Sequence, residues 1–322
     1  MKYHQLTSQQ RSQIFALLQR KTPRKEIAQI VGCSESTLSR ELKRNSTEKG
    51  NYLWPKAQEQ ADARKKRTTS NRKLDEILVW RIRQMIIENQ LSPEQIKGVL
   101  AKDGISVSIQ TIYNIINSDV SGELRKHRRH PYFKRRSKHE RKFTKATNIA
   151  NRTSIHQRPT QADGKRFGDW EMDLIVDYFN HAILVLVERS TNFVIMERLK
   201  YGKKAEPLAK AVVRLLFPYR KTLKTITTDN GSEFADHLTI TKKLGVTVYF
   251  ADSYCSWQKG AVEHENKLIR QYIPKKSNFN DFSDKFIINV GRKLNMRPRK
   301  KLNFSNPKTE FFKQINNFAL AS

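Results

Sequence analysis

The chain has 322 residues and carries 62 Lys and Arg against 31 Asp and Glu, a formal net charge of +31. An excess of that size predicts a polyanionic partner, nucleic acid or an anionic membrane surface, rather than a device for solubility alone. No apolar run approaches the ~18 residues of a spanning helix, and the first residues lack the apolar stretch of a secretory leader. The two cysteines, Cys33 and Cys255, have no disulfide or metal-ligand spacing. Nucleic acid is therefore the expected partner, no membrane is expected, and a reducing cytosolic setting fits.

Residues 1–46 carry the periodicity of three short helices. Thr7 or Ser8 caps the first, which has Ile14, Leu17 and Leu18 on one face. Pro23 opens the second, with Ile27, Ile30 and Val31 apolar, and Gly32 permits the left-handed turn that ends it. Ser34 caps the third, buried through Leu38 and Leu42, so Ser36, Thr37, Arg40 and Arg44 point outward. Two helices, a glycine turn and a polar third helix make a helix-turn-helix, in which Ser34, Ser36, Thr37, Arg40 and Arg44 are the DNA-binding candidates. Residues 47–72, polar and basic, are expected to be a linker or irregular arm.

A second helical unit is expected over 73–120. Ser92-Pro93-Glu94-Gln95 is a helix start with a cap, a first-turn proline and a Gln three residues after the Ser. Gly104 breaks the chain, Ser108 caps the next helix, and Ile112, Ile115 and Ile116 bury it, leaving Gln110, Thr111 and Asn114 for a base edge or phosphate. A basic linker is expected over 121–164; its segment 121–145 has eleven Lys and Arg against two Glu, and Arg128 and Arg129 are its phosphate-contact candidates.

From about residue 165 the pattern changes. DWEMDLIVDYF (169–179), AILVLVER (182–189) and FVIMERL (193–199) read as an antiparallel meander. KKAEPLAKAVVRLLFPYR then reads as a helix, LKTITTD as a strand ending at Asp229, VTVYFAD as a strand ending at Asp252, and WQKGAVEHENKLIRQYI as a polar-faced helix. Strand-strand-strand-helix-strand-helix-strand-helix is the element order of a ribonuclease-H-like α/β domain with a mixed sheet. The expected architecture is that domain over 165–322, with C-terminal helices, preceded by two all-α helix-turn-helix units.

Three carboxylates in this basic chain sit where metal chemistry would want them: Asp173 on the first strand, Asp229 at the end of the fourth, and Glu263 on the helix after the fifth. Two Mg²⁺ (or Mn²⁺) ions per active site, about 3.5–4 Å apart, neutralise the attacking and leaving oxygens of a phosphodiester, and hard oxygen ligands hold them. Acids grouped against a phosphate substrate would repel it without metal. Periodicity does not choose between Asp173 and Asp177, which share one strand face with Glu171, a possible outer ligand. Glu233 competes with Asp229, whose Asp-Asn-Gly is also an ordinary turn sequence. Glu263 and Glu265 project about 200° apart around a helix, so only one faces the metals. Glu263 shares its face with Asn266, Lys267 and Arg270, and Lys267 and Arg270 are the phosphate-binding candidates. Trp257 packs in the core or stacks on a distorted base, whereas Trp170 is read as core.

GDWEMDLIVD, TDNGSEF and SWQKGAVEHENKLIRQYIPK resemble the three catalytic blocks of the IS30 family of DDE transposases from bacterial insertion sequences. The 33 residues between Asp229 and Glu263, the closing NMRPRKKLNFSNPKTEFF, STLSRELKRN, LSPEQI with TIYNII, and NRTSI through RP match too, so the resemblance covers nearly the whole chain. It implies that Asp173, Asp229 and Glu263 are both the catalytic and the metal-binding triad. It also implies binding of double-stranded DNA at terminal inverted repeats and at a target, and a copy-type pathway through a circular intermediate. A homodimer or higher synaptic oligomer and a cytoplasmic, nucleoid-associated protein are the matching expectations. Met172 stands where the family usually has Gly, and Val262 and His264 where Asn is common. The alternative is a DNA-binding regulator of transposase origin that has lost catalysis, against which all three acids are present.

Overall fold

The computed structural model describes residues 5–47, 50–70, 75–128, 149–253 and 255–321. They divide into two compact units, Met1–Leu78 and Val79–Ser322.

The first unit contains α1 (Ser8–Gln19), α2 (Arg24–Val31), α3 (Glu35–Asn45) and α4 (Trp54–Ser70). Thr7 and Gln10 form the reciprocal capping box of α1, Gly32 ends α2 at φ +72°, and the Ser34 hydroxyl accepts the Thr37 N–H at the start of α3. Ile14, Ile27, Ala28, Val31 and Leu38 form the core. Ile30 turns to solvent instead, because the inward face of α2 runs through residues 27, 28 and 31.

Where a linker was expected at 47–72, α4 is a packed fourth helix. Ala57 enters the core of the unit, and Tyr52 lies beside it. A buried ion pair requires that cover: Arg11 Nε donates to Glu41 Oε1 at 2.7 Å, Tyr52 donates to the same oxygen at 3.1 Å, and Arg11 Nη1 donates to Gln58 of α4 at 2.8 Å. A charged pair out of water needs its remaining hydrogen bonds satisfied, and residues 52 and 58 supply them.

The second unit is built on a six-stranded sheet of β1 (Thr153–Ser154), β2 (Asp169–Val176), β3 (Ala182–Glu188), β4 (Val194–Leu199), β5 (Thr225–Thr228) and β6 (Thr247–Phe250). Their order is β1-β6-β5-β2-β3-β4. β2, β3 and β4 form the antiparallel meander, while β5 runs parallel to β2, β6 to β5 and β1 to β6. This is the ribonuclease-H-like arrangement expected. Gly168, at φ +96°, enters β2 so close to the Thr222 carbonyl that a Cβ has no room there. The first strand ends at Val176, so Asp177 lies just beyond it rather than on it.

Alternation along β2 sorts the strand into two faces. Trp170 and Met172 join the core under α9 (Ala205–Leu216), α10 (His237–Leu244) and α13 (Pro307–Ala321), where Trp170 packs on Tyr219 and Phe311. Glu171, Asp173 and Ile175 face the other layer, formed by α11 (Gly260–Ile269) and α12 (Asp284–Met296), whose Val262, Leu268, Ile269, Ile287 and Val290 complete the second core.

The second helical unit comprises α5 (Glu76–Ile87), α6 (Pro93–Lys102), α7 (Ile109–Asn117) and α8 (Glu123–Lys126). The Ser92–Gln95 capping box, the left-handed Gly104, the Ser108 cap and the buried Ile112, Ile115 and Ile116 are as expected. It is joined to the sheet-bearing part of the chain: Gln95 Nε2 donates to the Pro298 carbonyl at 2.5 Å, Lys300 pairs with Glu94 at 2.7 Å, and the Gln90 amide oxygen accepts from Tyr272 and Arg297. The expected linker 121–164 also changes: α8 begins it, and Thr153–Ser154 add a strand to the sheet edge. Arg129 and the rest of 129–148 lie outside the described residues.

Candidate active site

Asp173, Asp229 and Glu263 come from three elements. Asp173 stands on the α11 face of β2, Asp229 follows the last residue of β5, and Glu263 lies one turn into α11. Two of them meet at one group. Lys259 Nζ donates to Asp173 Oδ1 at 3.1 Å and to Asp229 Oδ2 at 2.8 Å. Lys259 is 5 % exposed, and Asn266 Nδ2 donates to the other Asp173 oxygen at 2.7 Å. Glu263 lines the same cleft as Asp173, together with Asn266, Lys267 and Arg270. Among the described residues, no three His, Cys, Asp or Glu side chains gather closely enough to hold a metal ion as they stand.

Burial raises the Asp173 carboxyl above the usual carboxylate range; the Lys259 ammonium opposes that and the Asp229 charge adds to it. Burial lowers the Lys259 pKa, but the two aspartates outweigh it and hold the ammonium above its ordinary value. The site is thus arranged around a positive charge.

The rival acids are engaged elsewhere. Asp177 is a fully buried carboxylate that accepts the backbone N–H groups of Phe179, His181 and Phe279 at 2.8–2.9 Å and the His181 ring at 2.8 Å. It knots the β2–β3 turn to the segment before α12. Glu171 accepts Arg189 Nε at 2.9 Å with one oxygen and the Val262 N–H at 2.9 Å with the other, so it is a brace rather than an outer ligand. Glu265 is wholly buried and paired with Arg299 at 3.0 Å. The Asp-Asn-Gly segment is also a real turn: the Gly231 N–H donates to Asp229 Oδ1 at 3.1 Å, and Asn230 Nδ2 donates to the Ala251 carbonyl at 2.6 Å. That bond ties the end of β5 to the end of β6 and leaves Asp229 Oδ2 pointing at Lys259.

The nucleic-acid candidates divide. Ser36, Arg40 and Arg44 are exposed on α3 and Thr37 is half-buried, while Ser34 spends its hydroxyl on the helix cap. Gln110 and Asn114 are exposed on α7 and hydrogen-bonded to each other at 2.9 Å; Thr111 is held by the Ser108 hydroxyl. Arg128 lies over the Tyr113 ring. Lys267 is exposed, and Arg270 is half-buried against Phe279, with its pKa lowered by burial. Trp257 is 73 % exposed, which removes the core reading for that residue.

Residues 2–45 match a family described as a helix-turn-helix domain. The transposase for insertion sequence element IS4351 of Bacteroides fragilis is 42 % identical over 98 % of this chain and 99 % of its own length. The transposase InsI for IS30A of Escherichia coli is 35 % identical over 94 % of this chain and 82 % of its own, and that for IS1086 of Cupriavidus metallidurans 32 % over 95 % and 94 %. The chain belongs to the IS30 family of insertion-sequence transposases. The catalytic core domain of BIV integrase is 21 % identical with a TM-score of 0.36, covering 47 % of this chain and 98 % of that one.

Within this IS30-family chain, Met172 lies on the face of β2 opposite Asp173. Its side chain enters the core on the α9 face and fills space that a glycine would leave. Val262 is likewise core, under β3, and His264 is exposed. The donor set fits a divalent cation: hard carboxylate oxygens from two neighbouring strands already converge on a buried cation, and a third carboxylate lines a cleft with one of them, Asp173. Lys259 was missed from sequence. Its signal was present, since Lys259 stands one turn before Glu263.

Glu171 acts on the site through α11. No side chain of the preceding turn caps that helix, and the Glu171 carboxylate takes the third N–H instead, at the end where a negative charge is favoured. Glu171→Gln replaces one acceptor oxygen by an amide that faces either Arg189 or the Val262 N–H, at a cost of about 1–3 kcal/mol. The expected result is a lower melting temperature and slower strand cleavage with unchanged affinity for DNA. A variant that melts and cleaves as native does would remove the brace assignment.

Proposed function

We propose that Asp173, Asp229 and Glu263 form the catalytic and metal-binding triad of this transposase, which cleaves the ends of its insertion sequence and joins them to target DNA. The observation that carries this reading is the shared buried cation between Asp173, within β2, and Asp229, just past the end of the neighbouring parallel strand β5. Bound Mg²⁺ or Mn²⁺, two ions per site, would supply charge neutralisation of the attacking and leaving oxygens. Asp173, Asp229 and Glu263 would hold these ions, and Asn266 fixes the orientation of the Asp173 carboxylate. Lys267 and Arg270 grip the phosphates that follow along the strand, and Trp257 offers a face for an unstacked base.

The chemistry is two in-line displacements at phosphorus. Water breaks the bond between the phosphorus and the 3′ oxygen at the element end, and the 3′-hydroxyl released attacks a second phosphodiester. One phosphodiester is broken for each one formed in the second step, so it needs no external energy source and no covalent protein–DNA link. The α3 residues Ser36, Thr37, Arg40 and Arg44 read the terminal inverted repeat in the major groove. The α7 residues Gln110, Thr111 and Asn114, with Arg128, contact the flanking duplex. A homodimer brings two ends together, and the protein acts in the cytoplasm on the nucleoid.

The test incubates the full chain with a duplex carrying an element end and Mg²⁺ or Mn²⁺, and follows nicking and joining on a labelled strand. Native protein should do both, and Asp229→Ala should bind the duplex but do neither. Full cleavage by Asp229→Ala would overturn the triad; end binding without cleavage by native protein would identify a regulator. Arg40→Ala should cost about 1–3 kcal/mol of end binding and relax selectivity at one position. A uniform loss across sequences would make Arg40 a phosphate contact instead.

A further inference from the structure

We propose that Lys259 is a resident counter-ion, which stands in for the divalent cation between Asp173 and Asp229 and passes to a DNA phosphate when metal enters. The inference rests on the reading of these two aspartates as metal ligands.

All four oxygens of the pair have a donor. Asp173 Oδ1 and Asp229 Oδ2 share the Lys259 ammonium, Asp173 Oδ2 takes the Asn266 amide, and Asp229 Oδ1 takes the Gly231 N–H. The two oxygens that face each other are those that hold Lys259. A divalent ion held by both carboxylates would take the place between them that the ammonium now fills at 3.1 and 2.8 Å. Two cations do not share that position, so metal entry displaces Lys259.

The charges favour the exchange. One ammonium faces two carboxylates, which leaves the pair one positive charge short, while Lys267, Arg270 and Lys275 stand beside Glu263 in the adjoining cleft. A structural ion pair has no need for two acids from separate strands, one of them with its side chain 45 % exposed. Lys259 is the residue that precedes α11, one turn before Glu263, and its ammonium meets the Asn266 amide of that helix on the Asp173 carboxylate. A flexible four-carbon stem lets its ammonium move from the carboxylates to the phosphate that Lys267 and Arg270 grip. Its service in the metal-free protein is to keep two facing carboxylates from repelling each other.

The test measures Mn²⁺ affinity of the full chain by calorimetry, and melting in chelator and in Mn²⁺. Lys259→Met should bind Mn²⁺ at least about tenfold more tightly than native protein, since no ammonium competes. It should melt lower than native in chelator and recover in Mn²⁺; folding only in Mn²⁺ supports the proposal equally. Lys259→Arg, which keeps the charge, should match native protein in chelator. Unchanged or weaker Mn²⁺ affinity in Lys259→Met, or native melting in chelator, would overturn the proposal. Asp229→Asn separates the two levels: if it abolishes Mn²⁺ binding while Lys259→Met changes nothing, only the counter-ion role fails. If Asp229→Asn binds Mn²⁺ as native does, the metal reading fails with it.

Discussion

Asp173→Asn is expected to reduce cleavage of an element-end duplex by about a thousandfold, whereas Asp177→Asn leaves the chemical rate near native. The first removes a carboxylate from the proposed metal site, which would be worth several kcal/mol in the transition state, and about 4 kcal/mol corresponds to three orders of magnitude in rate. The fold should survive, because an amide at 173 still hydrogen-bonds with Asn266. Asp177 is the opposite case. Its carboxylate is enclosed by three backbone N–H groups and the His181 ring, so Asp177→Asn turns one acceptor into a donor among donors, at about 1–3 kcal/mol. Burial would raise the Asp177 pKa, but the Phe279 and His181 hydrogen bonds outweigh it and hold the carboxyl below the usual range. A depressed carboxyl stabilises the fold above the unfolded value, about pH 3.9, and that contribution is lost as pH falls through the folded value. The melting gap between native protein and Asp177→Asn should therefore narrow in acid. Single-turnover nicking and melting curves check both variants. Loss of cleavage by Asp177→Asn at native stability would exchange the two assignments.

The catalytic half of the molecule was legible because strand alternation and strand-end turns are local properties. The meander, the strand ending at Asp229 and the polar-faced helix with Glu263 could be read within a few residues of their bounds. Choosing Asp173 over Asp177 was not possible from period, which places both on one face. The distinction is tertiary: the strand stops at Val176, and donors from residues 102 and 4 positions away close over Asp177. Glu171 is the same kind of case. A carboxylate in an acid-rich strand looks like a ligand until the helix that needs it is in place.

The helical segments show the complementary failure. Residues 54–70 are polar enough to read as an arm, and the apolar contacts of Trp54 and Ala57 go to a surface that only the folded helix-turn-helix provides. The residues around Lys259 were read for an acid and an aromatic, so the cation between them passed unnoticed. Charge at an active site is legible in sequence as a set of signs, but not as a set of pairs.

Gly98→Ala is expected to destabilise the chain, against the ordinary trend. In the middle of an exposed helix such a change stabilises by about 1 kcal/mol, so the sign alone discriminates. The reason is the Phe304 ring, which lies so close to the α6 backbone at Gly98 that a Cβ overlaps it. Phe304 cannot readily retreat: it follows Asn303 in a turn where both residues have positive φ, closed by the Arg299–Ser305 bridge. Around that contact, Gln95 and Glu94 reach Pro298 and Lys300, and Gln90 reaches Tyr272 and Arg297. Overpacking at such a seam costs about 1–3 kcal/mol. It should also loosen α5–α7 from the catalytic unit, which proteolysis in the α6–α7 turn would register. Phe304→Ala in the Gly98→Ala background should recover part of the loss, giving a non-additive double-mutant cycle. Gly98→Ala melting at or above the native temperature would mean that the seam does not hold the helical unit in place. If the seam does hold it, the DNA contacts proposed for α7 are fixed relative to Asp173 and Asp229, and the distance from bound sequence to cut phosphate is set by the rigid protein rather than by a tether.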